Sequence, residues 1–139
     1  MIVALVLVFA LCTVGNVVAD DKAECEKVCT AAAAVIKAKG ADAAKAEINK
    51  KDGPFVKGSV YVFMMDMEGK MLAHPMKASL IGKNLIDLKD KNGKAFFKEF
   101  VDVAKKDGKG WVDYMWPKPG EEAPSQKSSY ILKEGDVLV

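Results

Sequence analysis

Residues 109–130, KGWVDYMWPKPGEEAPSQKSSY, decide how this chain reads, because they hold both tryptophans and two of the three tyrosines. Strand-forming side chains fill residues 111–116, and Pro117, Pro119, Gly120 and Pro124 then break the pattern. Strand character resumes over residues 128–132, so the stretch predicts a β-hairpin with a long, stiffened loop. Alternation along the first strand sends Trp111 and Trp116 to opposite faces and puts Tyr114 on the face of Trp116. Trp and Tyr each offer a flat apolar body with one polar hydrogen, which suits a pocket that buries and orients a small molecule. The alternative is that these rings are core, since aromatics dominate the energetics of any small domain.

Outward from the hairpin, Ala95, Phe96, Phe100, Val103 and Ala104 recur at helical spacing and Asp107-Gly108 closes the segment, so residues 94–106 read as a helix with its phenylalanines in the core. Residues 59–66, SVYVFMMD, read as a strand apolar on both faces and therefore covered on both. Residues 67–70 turn and residues 71–74 return, making a second hairpin that Pro75 stops. Asp66 is expected to cap that turn. Residues 76–90 lack periodicity and are expected to lie over the sheet as a lid. Asp87 and Asp90 there read as solvated loop acids, because two carboxylates without a loop spacing do not make a calcium site.

Toward the N-terminus, residues 21–51 are rich in Ala, Lys and Glu, with Asp21 and Glu24 placed as a cap and its partner. They predict a long helix, interrupted near residues 39–42 by Gly40. No aromatic lies between Asp20 and Pro54, so the bulky core material comes from what this helix packs on. Cys25 and Cys29 stand one helical turn apart with Val28, Ala32, Val35 and Ile36 on one apolar stripe. That separation lies near the upper end of the disulfide range, so a strained or absent bond is expected ahead of any redox role.

Residues 1–19 carry no charged side chain and end Val17-Val18-Ala19 before Asp20. They predict an export signal, with an uncleaved membrane anchor as the alternative. A periplasmic or secreted location follows. Residues 20–139 are the usual size of one domain. A net charge of +2 is too small for a dedicated nucleic-acid binder. All basic residues are Lys, which removes the bidentate guanidinium fork from any anion site. With one histidine, His74, and no cluster at ligand spacing, neither a metal nor a cofactor is expected. No nucleophile has an adjacent base, so an enzyme is not expected.

The order of long helix, DG-x-F, YVFMMD, EGK-x-LAHP, GKNLIDLKDKNGK, helix, GKGWVDYMWPKPG and KSSYI resembles the single Cache domain family in its second subtype, the extracytoplasmic sensory domain of bacterial chemoreceptors and histidine kinases. The match runs over residues 22–139. It implies an α+β fold: a long N-terminal helix on one face of a PAS-like antiparallel sheet of about five strands, with loops and a short helix over the other. The final strand, beginning near Asp136, is expected to be cut short at Val139. The resemblance also implies sensing of a small molecule, commonly a short organic acid.

For such a carboxylate, Lys127 is the best-placed cation, with Tyr61, Tyr114, Trp116 and Tyr130 as further donors and His74 either touching the ligand or fixing the lid loop. These residues are expected to wall a half-enclosed cavity roofed by the segment after His74. The protein then reads as a sensor module in signal transduction or chemotaxis, passing its occupancy to a separate membrane receptor or kinase. A homodimer through the long helix is compatible with it. A periplasmic structural or interaction protein without a small ligand is the alternative, and an enzyme a weaker one.

Overall fold

The structure, a computed structural model, describes residues 17–118 and 120–139. Most of the expected export segment, with Pro119 of the aromatic loop, lies outside the described residues. Helix α1 spans Val17–Lys39 and helix α2 Ala41–Ile48. The break falls at Gly40, whose φ of 90° and ψ of 166° belong to a backbone region essentially reserved for glycine. Asp21 and Glu24 are interior to α1 instead of capping it, because helical backbone continues upstream to residue 17 and leaves no free first turn there. No helix of the described residues is long and apolar enough to cross a membrane.

Strands β1 (Val56–Lys57) and β2 (Val60–Tyr61) pair with each other. Strands β3 (Met64–Asp66), β4 (Met71–Ala73), β5 (Lys109–Pro117), β6 (Pro124–Glu134) and β7 (Val137–Leu138) form an antiparallel sheet in the order β4-β3-β7-β6-β5. The run expected as one strand over residues 59–66 is thus divided between two sheets. Its two-sided burial holds. Val60, Val62 and Met64 pack with Val28, Ala32, Ala44 and Ile48 beneath the helices, while Phe63 and Met65 pack on the opposite face. Met64 and Met65 are both fully buried, each on its own side.

The second face is covered by α3 (Phe96–Asp107) and by residues 76–90. Phe96, Phe97 and Phe100 are buried there with Met71, Leu80, Leu85, Val112, Tyr114 and Ile131. Gly108, at φ 74°, ends α3 in the left-handed conformation and returns its N–H to Ala104. Asp66 Oδ1 accepts the N–H groups of Glu68 and Lys70, both at 2.9 Å, which is the turn cap expected of it. Gly69 is required in that turn. Its φ is 94° and a Cβ there would stand 2.8 Å from Ile86 Cβ.

Asp90 has a defined job. Oδ1 accepts from Asn92 and Lys94, and Oδ2 accepts the Met115 N–H at 3.0 Å, tying the end of the lid to β5. Strand β7 lies in the middle of the sheet, bonded to β3 on one side and β6 on the other, and Val139 exchanges both backbone bonds with Leu132.

Candidate ligand-binding site

The register of the long hairpin sorts its aromatics. Trp111 stands opposite Tyr130, and Tyr114 opposite Lys127, and directly opposed residues share a face. Trp111 and Tyr130 therefore meet on the α1 side, with ring centroids 5.3 Å apart, and the Trp111 indole donates to Glu26. Tyr114 and Trp116 face α3. The Tyr114 ring stacks 4.4 Å from Phe96, its hydroxyl bonds Ser129 Oγ at 2.7 Å, and Trp116 sits edge-on to Phe96 and Phe97. Burial pushes the Tyr114 hydroxyl well above the ordinary tyrosine range, so it stays neutral.

Lys127 joins this face to Tyr61. Its Nζ donates to the Tyr61 hydroxyl at 2.5 Å and lies 4.1 Å from that ring's centroid. Burial holds the Lys127 ammonium down to about 8 and pushes the Tyr61 phenol up to about 12. Lys127 takes no part in the ion pairs found among the described residues. A sheltered cation without a carboxylate beside it is poised for an anion.

His74 is buried with its ring 5.1 Å from Tyr61. Its backbone N–H donates to Asn49 Oδ1, and its Nδ1 accepts the Lys77 N–H at 2.9 Å. That acceptor role assigns the remaining ring proton to Nε2. Burial first, then the charges of Lys127 and Lys77, hold the imidazole down to about 4, so it is a neutral donor. One nitrogen fixes the lid loop and the other stays available, so the two roles weighed for His74 are compatible.

The cavity expected beneath the lid is closed. Tyr61, His74, Tyr114 and Trp116 enclose with Phe63, Phe96, Phe97 and Phe100 a space of only about 10 Å³, because the α3 phenylalanines stack directly on the hairpin rings. The large cleft, about 480 Å³, lies instead between α1, residues 59–63 and residues 126–130. Lys127 and Tyr130 line this cleft, and Tyr61 borders both spaces. Tyr130 therefore does not join Tyr114 and Trp116. Ser129, Asn49 and Lys77, whose ammonium sits 4.8 Å from the Trp116 ring centroid, were not legible as participants, since each reaches the site only through tertiary packing.

Cys25 and Cys29 are free thiols. Burial pushes Cys29 up to about 12, and its Sγ–H donates to the Tyr130 carbonyl at 3.6 Å. Neither is a reactive thiolate.

A layered α+β sensor-like domain of this kind has clear relatives. Residues 23–134 match the model of the single Cache domain 2 family, and the chain belongs to that family. It is 39% identical over 71 residues, 51% of its length, to the methyl-accepting chemotaxis protein McpP of Pseudomonas putida, and spans 13% of that receptor's length. A solved periplasmic sensor domain of a chemotaxis protein superposes with a TM-score of 0.74 at 31% identity, covering 88% of this chain and 94% of that one. A Cache chemosensory domain solved for carboxylic acid recognition gives 0.67 at 27% identity, over 87% and 85% of the two chains. A methyl-accepting chemotaxis protein of Vibrio parahaemolyticus gives 0.69 at 28% identity, over 87% of each.

Proposed function

We propose that this domain is an extracytoplasmic sensor of a short carboxylate, acting in chemotaxis or related signalling through a membrane receptor or kinase. The observation that carries this reading is Lys127, a sheltered ammonium without an ion-pair partner among the described residues, in hydrogen-bond contact with Tyr61 and close to the neutral donor of His74. A carboxylate at that point takes a charge-assisted bond from Nζ and neutral bonds from the Tyr61 hydroxyl and His74 Nε2–H. Tyr114 and Trp116 wall the carbon end. The space under the lid is closed as it stands, so on this reading residues 76–90 swing out to admit the acid. The membership in a family of chemoreceptor sensors, and the carboxylic acid recognition of one neighbour, support the same class of ligand.

The alternative is a domain that binds no small molecule, and the ring-filled space beneath the lid favours it. Thermal unfolding against a panel of two- to four-carbon mono- and dicarboxylates separates the two. An acid at 100 times its dissociation constant adds about 2.7 kcal/mol of stability. We expect one or more acids to stabilise the wild type and none to stabilise Lys127→Ala. A panel without any shift, or a shift that survives Lys127→Ala, removes the carboxylate reading.

A further inference from the structure

Lys77, at the start of the lid, meets the site at two points. Its backbone N–H is held by His74 Nδ1 at 2.9 Å, and its ammonium stands 4.8 Å from the Trp116 ring centroid. The side chain is exposed and takes no part in the ion pairs found among the described residues.

The hairpin brings a second group to the same place. Ser125 stands opposite Trp116 and shares its face, and its Oγ is buried with no hydrogen-bond partner among the described residues. Lys127 is the next residue on that face of β6, about 6.8 Å further along the strand. The face therefore presents one cation at Lys127 and a second, Lys77, over the neighbouring Trp116–Ser125 pair. Both ammoniums lie close enough to His74 for their charges to join burial in holding its imidazole down.

We propose that Lys77 and Ser125 form a second carboxylate subsite, so that the acid sensed by this domain is a short dicarboxylate. This rests on the carboxylate reading of Lys127 and supplies the far end of the same ligand. One carboxylate takes the Lys127 ammonium, and the carbon chain lies along the Trp116 ring. The other carboxylate draws the Lys77 ammonium off that ring and accepts from the Ser125 hydroxyl. The exchange is favourable, because an exposed cation–π contact is weaker than a charge-assisted hydrogen bond. The buried hydroxyl also gains the partner it lacks. A monocarboxylate of the same length would set a methyl group against both donors and leave them unmet, which is how a hydrogen-bonding site rejects an analogue that lacks the polar group.

The test is isothermal titration of the purified protein with acids matched in carbon number, malonate against propionate and succinate against butyrate. At least one diacid should bind about tenfold or more tightly than its monoacid, the worth of one charge-assisted bond. Lys77→Gln removes the charge but keeps the N–H that His74 holds, and should bring that preference to within about twofold of unity. Lys77→Arg keeps the charge and should keep the preference. Monoacids that bind as tightly as their diacids overturn the inference. So does a preference that survives Lys77→Gln, or an equal loss of both acids in that variant, which would make Lys77 a prop of the lid alone. In each of these cases the carboxylate reading stands. Binding of none of the four acids, or binding unchanged in Lys127→Ala, removes that reading and the second subsite with it.

Discussion

Lys127 and His74 are each held uncharged-leaning by burial, and both therefore make stability depend on pH with the same sign. For Lys127 the folded state releases its proton at about 8 against 10.5 for a free lysine, so the unfolded chain binds more protons across that window and stability rises with pH through it. Lys127→Met should abolish that rise and, after allowing for access through the cleft, stabilise the protein at pH 7 by about 1–2 kcal/mol. Urea denaturation of both forms between pH 7 and pH 10.5 checks this. If the domain binds a carboxylate as proposed, the same deprotonation should weaken that binding about tenfold per pH unit above about 8 in isothermal titration. For His74 the folded value is about 4 against 6.5, so stability is lost on acidification from pH 6.5 toward pH 4. His74→Asn, which keeps an acceptor for the Lys77 N–H, should lose about 1 kcal/mol at pH 7 and show a flatter acid limb.

At the scale of elements, the helix pair turns on Gly40. Its φ of 90° leaves open space where a Cβ would go, so Gly40→Ala has no steric clash and its cost is conformational, about 1–3 kcal/mol by chemical denaturation. A two- or three-degree change in melting temperature in the wrong direction would remove the argument. The thiols of α1 are unpaired, so a mild reductant should leave the unfolding midpoint unchanged. The break at Gly40, the helix after Ala95 and the aromatic hairpin were all readable from pattern, because each rests on local backbone preference. The break of residues 59–66 into β2 and β3 was not. Alternating burial is the same whether a segment pairs with one sheet or two, and the choice was made by β1 and β7, one just upstream and the other about seventy residues away. The helix start failed for a related reason: Asp21 and Glu24 make a good cap motif, but helical backbone already precedes them.

Across the whole molecule, one sheet divides two cores, and Phe100 anchors the one under the site. It is fully buried against Phe63, Phe96, Phe97 and Tyr114, so Phe100→Ala should cost about 3–5 kcal/mol and lower the urea midpoint accordingly. Tyr61, His74, Tyr114 and Trp116, picked out by composition, border one small space, and Lys127 meets it through the Tyr61 hydroxyl. Tyr130 did not follow, since its strand phase sends it to α1. The shape of the empty space was not legible either. Whether rings stack into a closed layer or leave a hollow depends on how α3 sits on the hairpin.

The order of elements, the two-sided burial of Val60 through Met65 and the restriction of the basic residues to lysine all follow from the chain itself, because periodicity, turn residues and side-chain chemistry act over a few neighbours. Which face each aromatic serves and the closing of the lid-side cavity were decided by tertiary packing. They depend on register and layer spacing between segments far apart in sequence, and no local preference encodes those distances.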